Sequence, residues 1–135
     1  MKNSRKLALK ATLPWALASA LLSLPSHANH NQGHVDVAVP ELSKTAQMGQ
    51  GFFNQTCAQC HGENGSGTQA GPPLIHKIYE PSHHGDPSFF NAMRKGVRSH
   101  HWSYGNMPAQ PQVGFMQANA IVAFIREVQR HNGID

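Results

Sequence analysis

Cys57-Ala58-Gln59-Cys60-His61 has the spacing C-x-x-C-H. Two thiols separated by two residues and followed at once by an imidazole form the attachment pattern of haem c. Each part has a chemical job. The thiols of Cys57 and Cys60 add across two vinyl groups and make two thioether bonds. His61 is then held beneath the iron and supplies the proximal imidazole. Other readings of the pentapeptide lack support around it. A thioredoxin-type dithiol expects a βαβ context, and no alternating or β-branched run flanks this one. A structural zinc wants four Cys or His ligands, usually with a second paired cluster, and the chain has 2 cysteines in all. A disulfide across so short a loop would constrain little chain.

The 135 residues suffice for one domain behind a targeting segment. Residues 1–28 read as a secretory signal peptide. Lys2, Arg5, Lys6 and Lys10 make a basic n-region. Residues 13–24 are an apolar run of 12, too short to span a bilayer comfortably. Pro25 ends the run, and Ser26-His27-Ala28 is a small-x-small cleavage site. Cleavage after Ala28 predicts a periplasmic protein, in an oxidising compartment where haem attachment consumes both thiols. No cysteine lies near the cut to carry a lipid anchor. The leader takes 4 of the 11 basic residues and no acidic one, leaving 7 against 7. The formal charge of +4 thus falls to zero, and nothing in the balance points to nucleic acid.

Residues 29–40 are polar, contain His30 and His34, and predict a mobile N-terminal segment; residues 41–135 predict the folded domain. A helix is predicted from residue 41 to about 54, where Leu42, Ala46, Gly49 and Phe53 recur at spacings of three and four. Gly49 and Gly51 each cost that helix about 1 kcal/mol relative to alanine. A glycine so placed predicts close passage of another backbone. Residues 62–70 form a polar loop. Pro72 and Pro73 lack N–H groups, so their carbonyls remain free to accept from a partner. Residues 75–84 read as loop. Asp86-Pro87 predicts a helix start, with the acid at the N-cap and the helix running to about Val97. After an irregular stretch, Ala118, Ile121, Val122, Phe124, Ile125 and Val128 mark a last helix from about Gly114 to Arg130. Gly114 with Gln117 suggests a box at its start, and Gly133 a stop at its end. The fold class is therefore all-α, with three to four helices.

What fills the sixth position on the iron decides between a closed electron-transfer site and an open one. The candidates are Met48, Met93, Met107 and Met116. Met48 is too close to the attachment motif, Met93 sits on an apolar helix face, and Met116 is in the first turn of the last helix. Met107 stands in the loop Tyr104-Gly105-Asn106-Met107-Pro108 between the last two helices, where a side chain can reach over a haem edge. Core filling is the competing role for any methionine. The histidines leave more open. His83-His84 and His100-His101 are doublets, and His76 stands alone. One of them could replace the methionine, the doublets could hold copper or zinc, or all could bond loops and face water. Trp102 and Tyr104 are candidates to pack on the haem or bond a propionate, against ordinary core packing.

From residue 41 to 133 the chain resembles the class I, monohaem c-type cytochromes, and within them a short proteobacterial periplasmic type. Family members carry a glycine and an aromatic eight and four residues before the first haem cysteine, here Gly49 and Phe53. The resemblance implies that these cross the C-terminal helix at Phe124, with Ile121 one turn earlier. It implies that the Pro72 carbonyl accepts a hydrogen bond from His61, and that Met107-Pro108 is the distal loop. The implied fold has N- and C-terminal helices crossing beside one covalently bound haem c. The implied role is a soluble electron carrier, not an enzyme, cycling Fe(III) and Fe(II) between His61 and Met107. Its partners would be periplasmic or membrane-bound redox proteins met by transient docking, the carrier itself being a monomer without a membrane anchor. A lysine-rich docking face is missing. Two other roles stay open: a haem enzyme or gas binder with a labile sixth ligand, and a copper-handling module built on the doublets.

Overall fold

The computed structural model describes residues 33–135. The predicted signal peptide, its cleavage site and His30 lie outside the described residues. Ser43 opens the first helix. Its hydroxyl accepts from the Ala46 N–H at 3.2 Å, which satisfies one of the orphan donors of the first turn. Helix α1 is thus Lys44–Thr56, beginning later than the apolar spacing suggested because Ser43 caps it there. Leu42 lies ahead of the cap and is buried all the same. The C-x-x-C-H stretch is itself helical: α2 is Ala58–His61, with the His61 N–H on the Cys57 carbonyl at 2.9 Å. Short 3-10 turns follow at Glu63–Gly65 and at Lys77–Tyr79, the second inside a stretch read as loop. His76 caps that second turn by accepting from the Ile78 N–H at 3.2 Å.

Helix α3 is Asp86–Lys95. Its N-cap is Gly85 and not Asp86. The Asp86 carboxylate is turned instead to Arg126 Nε, at 2.8 Å. The helix ends before Val97 because Gly96 turns out at φ 75° and Val97 pairs with Met107 in an isolated antiparallel bridge, N···O 3.0 and 2.9 Å. Helix α4 is Phe115–His131. The Gln117 side chain accepts from the Gly114 N–H at 2.8 Å, the half of the box that a glycine permits. At its far end Gly133 N–H reaches Arg130 O at 3.2 Å and Ile134 N–H reaches Gln129 O at 3.0 Å, a Schellman closure with Ile134 packed on the core.

The core sits where α1 crosses α4. A Cβ on Gly49 would lie 1.9 Å from the Ala120 carbonyl oxygen, so the two backbones touch there. One turn further on, the Phe53 and Phe124 rings meet at 5.6 Å and 52°. Ile121, Ile125 and Val128 fill the space around them, and α3 adds Phe89 and Met93. Residues 33–40, expected to be mobile, have neither helix nor strand but are tied down along their length. Val35 N–H bonds Ser66 O at 2.7 Å, Asn132 brackets Ala38 from both sides, and Val37 and Val39 pack on the core.

Two glycines of one helix should therefore respond in opposite senses. Gly49→Ala is expected to destabilise by about 3 kcal/mol, the upper range for overpacking a tight contact. Gly51→Ala has nothing within 4 Å to meet and should stabilise by about 1 kcal/mol. Urea denaturation of the two variants checks both signs.

Candidate functional site

A cavity of about 550 Å³ opens beside the helix crossing, within the range of small-molecule and cofactor sites. Phe53 from α1, Phe89 and Met93 from α3, and Ile121 and Ile125 from α4 make its apolar walls. Cys57 and His61 border it from the attachment motif, and Trp102, Tyr104 and Met107 from the loop between α3 and α4. Cys60 is exposed and is not among its walls.

The turn of α2 presents His61 to the cavity. Its Nδ1 stands 2.9 Å from the Pro72 carbonyl oxygen, which has no donor of its own to offer and so receives the ring N–H. The other nitrogen, Nε2, is left with its lone pair. Burial pushes the His61 imidazole below its ordinary range, outweighing the bond to Pro72. The ring is therefore a neutral, fixed-tautomer donor at neutral pH. Burial, with the Cys60 thiol as neighbour, pushes the Cys57 thiol up to about 11.

Of the four candidate methionines, Met48 is 57% exposed and Met116 77%, and neither borders the cavity. Met93 and Met107 both do. Met93 is buried within α3 and packed into the core, as its place on an apolar helix face suggested. Met107 is half-buried, and its backbone is clamped to Val97. Gly96 makes the clamp possible. It sits at φ 75°, and a Cβ there would lie 2.5 Å from the Met107 carbonyl.

These groups fit an iron porphyrin. An imidazole with one free nitrogen, two thiols of the attachment spacing and an apolar recess are what haem c requires, and a soft thioether borders the same recess. Trp102 supplies a further sign: its buried Nε1–H has no hydrogen-bond partner among the described residues. The Tyr79 hydroxyl interacts with it without completing a bond, so a carboxylate such as those haem carries would satisfy it. Tyr104 lies 6.1 Å from Trp102, ring to ring, on the same wall.

The histidine doublets converge on that wall too, though they are far apart in sequence. His83 and His101 place their Nε2 atoms 3.3 Å apart. His84 Nδ1 bonds Ile78 O at 2.7 Å, and His100 Nδ1 bonds Arg98 O at 2.8 Å. His76 is elsewhere, edge-on to Trp102 at 5.2 Å. Burial and the surrounding imidazoles hold His84 and His101 below the ordinary histidine range.

Two residues that no motif singled out organise this side of the site. Arg126 and Gln129 are buried polar groups on the otherwise apolar face of α4. Arg126 donates to Asp86, to Tyr79 O at 2.9 Å, to Gln129 Oε1 at 2.6 Å and to His84 O. Its guanidinium also lies 4.8 Å above the Phe89 ring. Gln129 donates to Leu74 O at 2.9 Å and to Tyr79 O at 3.0 Å. The signal in sequence was a polar pair three positions apart within the apolar stripe.

A family model described as Cytochrome c matches residues 46–129, more than half of the chain. No curated protein matches the sequence.

The Arg126 network has a measurable worth. Arg126→Met leaves the His84 main-chain carbonyl and the Gln129 Oε1 without their donor, while Tyr79 O keeps its bond from Gln129, and is expected to cost about 3 kcal/mol. Asp86→Asn should cost less than about 1 kcal/mol, because that carboxylate is largely in water. Chemical denaturation of each variant measures the difference.

Proposed function

Since the chain belongs to the cytochrome c family, whose work is haem-based electron transfer, we propose that it is a monohaem electron carrier of the periplasm. When bound, haem c supplies a one-electron Fe(III)/Fe(II) couple in the cavity. Cys57 and Cys60 would hold the group covalently, His61 would take its proximal face and Met107 its distal face. The observation that carries this reading is the pairing of an oriented His61 imidazole with a clamped Met107 on the walls of one apolar cavity.

The chain's own residues would then do four things. The Pro72 carbonyl keeps the His61 proton on Nδ1 and raises the basicity of Nε2. The Val97–Met107 bridge fixes the backbone behind the thioether, so that little geometry changes with oxidation state. Phe53, Phe89 and Ile125 exclude water, which disfavours the more charged state and raises the potential together with the soft sulfur. Trp102 Nε1–H is the donor in place for a carboxylate of the bound group.

Among the described residues no helix is long and apolar enough to cross a membrane. With the leader removed, 7 basic residues would face 7 acidic ones, so net charge would give no long-range attraction to a partner of either sign. Docking with other redox proteins would be transient, over an interface at the small end, below about 1,200 Å².

The test is made on the haem-loaded protein. Met107→Ala is expected to abolish the weak far-red band of sulfur-ligated ferric haem and to open the reduced iron to carbon monoxide. The potential should fall by roughly 60 mV for each tenfold loss of preference for the ferrous form. Met93→Ala should keep both band and ligand set. His61→Ala should retain covalent haem but lose the low-spin spectrum. A native protein that binds carbon monoxide rapidly, or a Met107→Ala variant with unchanged potential, would remove the carrier assignment or its distal ligand.

A further inference from the structure

His83 and His101 stand 18 positions apart, on loops that either side of α3 brings together. We propose that His83, His84 and His101 form a second metal site, for one divalent cation of the zinc class held by three imidazoles. It is separate from His61 and Met107.

The spacing carries the proposal. One ring nitrogen from each of the three lies within 4.8 Å of the others. Metal–nitrogen bonds of about 2.0–2.1 Å in a tetrahedral site put ligand nitrogens about 3.4 Å apart. The His83 Nε2 to His101 Nε2 distance of 3.3 Å already has that value. His83 and His101 are exposed and free to close the remaining edges by rotation.

The site is also prepared chemically. The Ile78 carbonyl takes the Nδ1 proton of His84, which leaves the Nε2 lone pair available to a metal. A backbone carbonyl bonded to the far nitrogen of a histidine is the usual support of a metal-binding imidazole. Arg126 grips the His84 main-chain carbonyl, and Ser99 bonds the carbonyl of Trp102 and, through its N–H, Asn106 Oδ1 at 3.0 Å. Both loops are thus anchored before any metal arrives. A set of imidazoles without carboxylate or thiolate suits zinc, copper and nickel, and not magnesium or calcium. His100 stacks on His84 at 5.9 Å and 28° but stays outside the group of three. That leaves a fourth coordination position for water.

The haem-loaded protein is dialysed against ZnCl₂ and the retained metal is counted, with absorption spectra taken on the same samples. One zinc per chain is expected. Affinity should fall at least about tenfold in His83→Ala and in His101→Ala. His131→Ala, at the end of α4, should leave it unchanged. The iron spectrum should be the same before and after zinc. Failure to retain zinc overturns the proposal, as does retention undiminished in the His83→Ala/His101→Ala double variant or lost in His131→Ala. A zinc-induced change in the axial-ligand band would place the ion on His61 or Met107 and overturn it as well. The spectrum also keeps the haem assignment separate, since it is read without zinc.

Discussion

Gly49 rests against the carbonyl of Ala120, and this backbone contact sets the distance between α1 and α4. With the two axes held that close, Phe53 and Phe124 meet ring to ring one turn on, and both are essentially without solvent exposure. Four residues past Phe53 the chain reaches Cys57, whose N–H still bonds the Phe53 carbonyl at 2.7 Å. The direction in which the attachment motif leaves α1 is therefore fixed relative to α4. Everything on the wall built by Cys57 and His61 inherits its position from one missing side chain. The close approach offsets what a glycine costs a helix, because it lets large rings pack without a void.

The cavity combines groups that are individually ordinary. A neutral imidazole is held in one tautomer, a thioether is held from behind by a two-bond bridge, and an indole N–H is left with no acceptor of its own. In a low-dielectric recess such groups keep their orientation because water does not compete for them. The loops supply the polar atoms and the helices supply the apolar walls. This division follows from chemistry: helical backbone satisfies itself, and irregular backbone has carbonyls to spare, such as that of Pro72.

Arg126 links the two halves of the molecule. A buried guanidinium is expensive to desolvate, and its pairing with a water-exposed Asp86 does not by itself offset that cost. Its value lies in the carbonyls it gathers. It holds Tyr79 and His84 against α4, and with Gln129 it ties down the segment from Leu74 onward. The loop carrying the first histidine doublet is thereby set beside the loop carrying the second. The residue that grips the His84 carbonyl thus helps to hold in place the loop whose imidazoles meet those of the second doublet.

Some of this could be read from residues alone, and the reason is locality. The attachment motif is five consecutive positions whose chemistry is complete in itself, and the helices around Phe53, Met93 and Phe124 announce themselves by their period. The crossing partner of Gly49 and the Pro72 bond to His61 were reached through family resemblance, and the geometry agrees with both. Helix ends were misplaced where the cap was a matter of competition: Ser43 and Gly85 took the cap positions, and Asp86 was drawn off by an arginine 40 positions away. The N-terminal stretch looked unattached because its partners, Ser66 and Asn132, are remote in the chain. The burial of Arg126 and the meeting of the two doublets depend in the same way on contacts between distant segments. The sequence alone determined which chemical groups the chain carries and which segments coil. Only folding decided which of those groups face one another, because that depends on long-range packing that no short window contains.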